Sequence, residues 1–228
     1  MAAQRKPVVA IDGPMGAGKS TVAKVLAQRL GFGYVDTGAM YRSVALMCAR
    51  RGVDMHDADA VTRLAQTLQI EFRPGPSGDR VIVNGEDVTE AIREPSVSDG
   101  ASIVSTIPRV REALVARQRE LGREGGVVME GRDIGTVVFP DAEVKVFLNA
   151  SPEARARRRY DELRARGAQV TLEEIMRAQA ERDQRDATRA QSPMRPAADA
   201  MVIDSTVLNV DQVVDEIVRL VRERTGVV

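Results

Sequence analysis

The chain predicts an α/β fold, a parallel sheet with helices on both faces, and three observations carry that expectation. Five short apolar runs are spread along the sequence, segments of helical periodicity separate them, and the first run leads through a glycine-rich turn directly into a helix. In order, the strands are expected at Pro7-Val8-Val9-Ala10-Ile11-Asp12, Gly33-Tyr34-Val35, Val127-Val128-Met129, Val144-Lys145-Val146-Phe147-Leu148 and Met201-Val202-Ile203. Behind the first, Val22, Val25, Leu26 and Leu30 recur at helical spacing. The last helix, over about 210–224, sets Val213, Val214, Ile217, Val218 and Val221 on one face. This alternation suits parallel pairing, because a parallel neighbour needs a crossover long enough to hold a helix.

One stretch breaks the alternation. Gln69-Ile70-Glu71-Phe72-Arg73 and Arg80-Val81-Ile82-Val83 flank the turn Pro74-Gly75-Pro76-Ser77-Gly78, and Asn84-Gly85 follows. Two alternating runs with these turn residues predict a small antiparallel sheet inserted in the parallel core, over about 69–92. Another stretch is cationic: Arg155, Arg157, Arg158, Arg159, Arg164 and Arg166 crowd together around Asp161 and Glu162. That spacing fits a solvated helix with Glu153–Arg157 and Glu162–Arg166 pairs, each contributing a few tenths of a kcal/mol. Gly167, a helix stop, equally suits a helix–turn–helix flap whose arginines swing over a phosphate.

The bulk numbers exclude several classes. Residues total 228, enough for one large domain with small insertions, and 43% of them are hydrophobic. Aromatics are 3% with no Trp, so the core packs through Val, Leu, Ile, Ala and Met. Thirty-three basic residues balance 33 acidic ones, which leaves no global field for nucleic acid or an anionic membrane. No apolar run approaches the ~20 residues of a membrane span, and the N-terminal segment lacks a signal-like apolar stretch. Cytoplasmic residence is therefore expected. One cysteine, Cys48, and one histidine, His56, support neither an internal disulfide nor a structural zinc site.

Chemistry enters with Gly13-Pro14-Met15-Gly16-Ala17-Gly18-Lys19-Ser20-Thr21. Two glycines bracket four residues, then Lys and Ser follow, in the context strand, turn, helix that a phosphate loop requires. Glycines let the backbone curl so that N–H groups face one point, and the helix N-terminus adds partial positive charge there. Lys19 would reach the β- and γ-phosphates of a nucleoside triphosphate, and the Ser20 hydroxyl would help hold Mg²⁺. Such a loop serves switches, motors and kinases alike. The Asn-Lys-x-Asp signature of a guanine-reading switch is absent. Val127-Val128-Met129-Glu130 partly fits a motor's acidic strand end, but Gly131-Arg132-Asp133 then adds a cation and a second carboxylate at the sheet edge where ligands sit. Asp36-Thr37-Gly38-Ala39-Met40-Tyr41-Arg42 aims a hydroxyl, an aromatic and an arginine at that edge, and Arg182, Asp186 and Arg189 recur on one helical face. Together these residues describe a site for a second anionic group.

Those segments, with Pro108-Arg109-Val110-Arg111, Glu130-Gly131-Arg132-Asp133-Ile134-Gly135-Thr136-Val137-Val138-Phe139-Pro140 and Glu181-Arg182-Asp183-Gln184-Arg185-Asp186, resemble bacterial cytidylate kinases in order from about residue 7 to the last helix. The first block is generic to phosphate loops; those around 36–42, 130–140 and 181–189 discriminate. Met15 stands where the family pattern has Ser. The resemblance implies a P-loop NTPase three-layer α/β/α kinase domain with a five-stranded parallel sheet. Its core would cover about 7–36, 104–152 and 190–228, its monophosphate-binding subdomain about 37–103, and its lid about 155–172. It implies transfer of the γ-phosphoryl group of ATP to CMP or dCMP with Mg²⁺, by a monomer without nucleic-acid or membrane partners. By the same resemblance Arg42, Arg132 and Arg189 would grip the CMP phosphate, while Lys19 and Arg158 neutralise the transferring group. Asp133 and Ser102 would accept from the cytosine amino group and Arg111 would donate to the ring acceptors. Arg182 and Asp186 would hold the sugar, Thr37 would line the pocket, and Tyr41 is left between stacking near the acceptor base and only walling the pocket. Asp36 is left between holding a metal-bound water and ordering the Thr37 turn.

Overall fold

In the computed structural model the described residues are 5–73, 75, 80–189 and 191–227. They form eight strands and eight α-helices: β1 (Val8–Asp12), α1 (Lys19–Leu30), β2 (Gly33–Asp36), α2 (Thr37–Arg51), α3 (Ala58–Thr67), β3 (Ile70–Arg73), β4 (Arg80–Val83), β5 (Glu86–Asp87), α4 (Pro95–Val104), α5 (Pro108–Leu121), β6 (Val127–Gly131), β7 (Val144–Asn149), α6 (Pro152–Ala165), α7 (Leu172–Thr188), β8 (Met201–Asp204) and α8 (Val210–Thr225). The chain divides into two compact units, one of residues 1–34 and 124–228 and the other of residues 35–123.

In the first unit the five expected runs make one sheet in the order β2-β6-β1-β7-β8. β1 lies parallel to β6 and to β7, and β7 lies parallel to β8. Its central strand is buried along its whole length. Val9, Ile11, Val128, Val144, Val146 and Leu148 face Val22 and Leu26 of α1 and Val214, Ile217 and Val221 of α8 in one core. Alternation sends Ala10, Asp12 and Lys145 to the other face of the sheet. There Lys145 Nζ is 2.9 Å from an Asp199 oxygen. The start of α8 is fixed by a reciprocal cap in which Asn209 accepts from Gln212 N–H and Gln212 accepts from Asn209 N–H. Thr171 and Glu174 fix α7 in the same way.

The second unit carries the inserted sheet, β3-β4-β5, with antiparallel pairing. Asn84 and Gly85 both have positive φ, 50° and 84°, as a tight hairpin turn between β4 and β5 requires. The sequence pattern predicts two runs here; β5 is a third, too short at two residues to leave a hydrophobic pattern. Except for Gly75, the turn Pro74–Gly78 lies outside the described residues. This unit has its own core, with Met40, Val44, Val61, Ile92, Val104 and Val110 at its centre. Cys48 is fully buried in it.

Candidate active site

The phosphate loop begins where β1 ends. A Cβ on Gly13 would stand 2.0 Å from the Leu148 carbonyl oxygen, and its φ is 144°, so no other residue fits the passage from β1 past β7. Gly18 precedes α1 without a side-chain cap, which leaves the first N–H groups of that helix to an anion. Lys19 is buried and its Nζ donates to the Pro14 carbonyl at 2.8 Å. Burial is the largest influence on its ammonium, Arg132 and Arg182 push the same way, and together they outweigh Glu130 and Asp12 to lower it to about 7. Ser20 and Thr21 are exposed on the first turn of α1.

Two arginines of α6 grip the loop from its carbonyl side. Arg155 Nη1 donates to Met15 O at 3.1 Å and stands 2.7 Å from an Asp183 oxygen of α7. Arg158 Nη1 donates to Gly16 O at 3.4 Å and to Ser205 Oγ at 3.1 Å, and that hydroxyl donates to Ala17 O at 3.0 Å. The expected flap segment thus includes one arginine that is part of the loop's scaffold and one that lies beside the loop.

A second charge cluster forms on the same unit. Arg132, just past β6, donates from Nε to Asp186 Oδ2 at 3.0 Å. Arg189 comes within 3.9 Å of both Asp133 and Asp186, and its Nε donates to Ser192 O at 2.7 Å. Arg182 Nη1 reaches the Met15 sulfur at 3.5 Å. Burial works to raise the Asp186 carboxyl, yet Arg132, Arg182 and Arg189 together hold it below its ordinary value. Arg189 follows the last turn of α7 in extended backbone, so its approach to Asp186 uses i,i+3 spacing at a helix end. Arg132, Asp133, Arg182, Asp186 and Arg189 are thus brought together.

The second unit holds the other predicted residues. Asp36 caps α2, accepting from Ala39 N–H at 2.9 Å and from Arg42 Nη2 at 2.7 Å. Ordering the Thr37 turn is therefore a role it performs. Thr37 is buried at the start of α2. The Arg111 guanidinium lies over the Tyr41 ring, 5.6 Å from its centroid, and Arg111 is buried. Ser102 is 4% exposed, and its hydroxyl has no hydrogen-bond partner among the described residues. Buried hydroxyls are rarely left so.

With this geometry in hand, comparison with known proteins is decisive. The cytidylate kinase family model matches residues 9–223. The chain belongs to the cytidylate kinase family. It is 54% identical to the cytidylate kinase of Solibacter usitatus over 223 residues, covering 97% of this chain and 94% of that one. It is 55% identical to the cytidylate kinase of Pelotomaculum thermopropionicum over 213 residues, covering 93% and 94%. Among solved structures, an uncharacterized protein from Eubacterium ventriosum has a TM-score of 0.50 at 12% identity, covering 96% of this chain and all of that one, which speaks to the fold alone. The site also holds two residues outside the sequence expectations, Asp12 and Ser205. Only Asp12 left a signal, an acid closing an otherwise apolar strand. No described helix is long and apolar enough to cross a membrane.

Proposed function

We propose that this chain transfers the γ-phosphoryl group of ATP to CMP or dCMP, giving ADP and CDP or dCDP. One observation carries the reading: a single unit pairs a phosphate loop with a second, arginine-rich charge cluster, close enough that Arg182 Nη1 lies 3.5 Å from the Met15 sulfur of the loop. Arginines and a lysine buried this close together suit phosphate groups, and two phosphorylated substrates would occupy the loop and the cluster.

In the reaction an oxygen of the CMP phosphate bonds to the γ-phosphorus as the bond from that phosphorus to the β-phosphate oxygen breaks. The attacking oxygen is already mostly anionic at neutral pH, since a phosphate monoester's second ionisation lies near 6, so no general base is needed. Catalysis then rests on positioning and charge stabilisation. Lys19 and Arg158 neutralise the transferring group. Arg42, Arg132 and Arg189 hold the acceptor phosphate through forked N–H bonds. Asp133 and Ser102 accept from the cytosine N4 amino group, Arg111 donates to the ring acceptors, and the Arg111–Tyr41 stack and Thr37 flank them. Arg182 and Asp186 take the sugar; a deoxyribose keeps its 3′-hydroxyl, which supports acceptance of dCMP. The residues also fit Mg²⁺ delivered with ATP. Ser20 offers an exposed hydroxyl directly after Lys19, and no trio of His, Cys, Asp or Glu among the described residues forms a cage, which suits an ion that keeps phosphate and water ligands. When bound, Mg²⁺ screens the donor phosphates. The lid over about 155–172 would exclude water, and the enzyme would act as a cytoplasmic monomer.

A coupled assay of ADP release with CMP, dCMP, UMP and AMP tests this. ADP should appear on addition of CMP or dCMP and far less with the others. ATP hydrolysis indifferent to every monophosphate would overturn it.

A further inference from the structure

We infer that Asp12 is a positioning residue for acceptor selectivity, holding the turn that carries Arg132 and Asp133 without itself touching a nucleotide. The inference rests on the reading of Asp133 given above. Asp12 is the last residue of β1, pairs in register with Gly131 of β6 and is 4% exposed. Its Oδ1 accepts from Ile134 N–H at 2.7 Å and its Oδ2 from Gly135 N–H at 2.8 Å. Those are the first two N–H groups of a single π-helical turn over Ile134–Val138. The turn closes through Val138 N–H to Asp133 O at 3.2 Å and Phe139 N–H to Ile134 O at 2.7 Å. Asp133 supplies no side-chain cap to it. Both oxygens of Asp12 thus satisfy buried donors immediately after Asp133, and the backbone of the reading residue is fixed from both sides. Such wide turns are rare and need outside support.

A Cβ on Gly135 would sit 3.5 Å from Asp12 Oδ2 and 3.2 Å from Lys145 Cγ. Burial raises the Asp12 carboxyl to about 6 against the pull of the two N–H groups; the Asp133 charge raises it further and Lys19 lowers it. A carboxylate this costly to bury is doing something an amide cannot, since the carboxamide of Asn could accept only one of the two N–H groups and would turn an NH₂ toward the other. Because the same strand end opens into Gly13, one side chain couples the start of the phosphate loop to the acceptor-reading turn.

The test measures kcat/KM for CMP and UMP at saturating ATP, with the KM for ATP and the melting temperature, in wild type, Asp12→Asn and Asp12→Glu. The CMP:UMP selectivity should fall about tenfold in Asp12→Asn, mainly through acceptor KM, with the KM for ATP changed less than about twofold. A role confined to stability moves the melting temperature and leaves the ratio alone, which overturns the inference. Equal loss with both acceptors also overturns it, since Asp12 would then act through Lys19. Should Asp12→Asn fail to fold, Asp12→Glu decides: it keeps the charge but shifts both accepting oxygens by one methylene, and an unchanged ratio rejects the proposal. A wild-type enzyme without preference for CMP would instead reject the reading of Asp133, and this inference with it.

Discussion

Two arginine-rich stretches of similar composition behave differently in this molecule. On α6, Arg157 pairs with Asp161 at 3.5 Å and Glu162 takes Arg159 at 2.8 Å and Arg166 at 3.3 Å, all along one largely solvated helix. At the end of α7, the side chains of Asp186 and Arg189 are each only 8% exposed. Their cluster is completed by Arg132, 54 positions away in sequence. Pairs of the first kind contribute tenths of a kcal/mol and are screened by salt. Charges of the second kind cost desolvation and persist only with excellent partners or a ligand. What separates a solvated face from a site is burial with long-range partners. Arg155 shows this within a single helix, being buried against Met15 O and Asp183 while Arg157, two positions on, is exposed.

The comparison can be broken at several points. The largest effect is expected from Lys19→Met: phosphoryl transfer should fall about a hundredfold or more with every acceptor, measured as ADP release, because the substitution removes charge from the transferring group. Next, Asp133→Ala should lower kcat/KM for CMP roughly ten- to hundredfold while leaving the KM for ATP nearly unchanged. An unaltered preference for CMP would remove Asp133 from the base-reading role. A third effect concerns protons. With its ammonium lowered to about 7, Lys19 is mostly neutral at pH 8 in the free protein, and a bound triphosphate favours the charged form. ATP binding should therefore take up about one proton at pH 8, and apparent affinity should weaken as pH rises above 7. Calorimetry in buffers of different ionisation enthalpy reads the uptake directly, and Lys19→Met should abolish it. The smallest effect belongs to the solvated face: Arg157→Ala and Arg166→Ala should shift the melting temperature by less than about 2 °C and leave kcat alone. A loss of activity in either would blur the distinction between the two stretches.

Much of this was legible in the sequence because it is local. The sheet strands are short apolar runs, the phosphate loop is a contiguous pattern, and Asn84-Gly85 carries its turn geometry in its own residue types. The blocks around 36–42, 130–140 and 181–189 carry the family's pattern in contiguous residues. What stayed hidden depends on distant partners. Nothing in Ile134–Val138 announces a π-helical turn, since its support comes from Asp12, 122 positions earlier. Lys145 reads as one polar residue in an apolar strand until Asp199 is seen beside it. By residue type alone Arg155 cannot be told from the other arginines of its run, and only Met15 and Asp183 set it apart.

Cys48 has a practical consequence. The sole thiol of the chain is fully buried in the core of the 35–123 unit, and that burial also pushes its ionisation up, so a reagent meets it only when the surrounding helices part. Thiol labelling of the natural protein is therefore a clock for the opening of one half of the molecule. Running that clock with ATP, then with CMP, would time how each nucleotide steadies that half, with no residue engineered in.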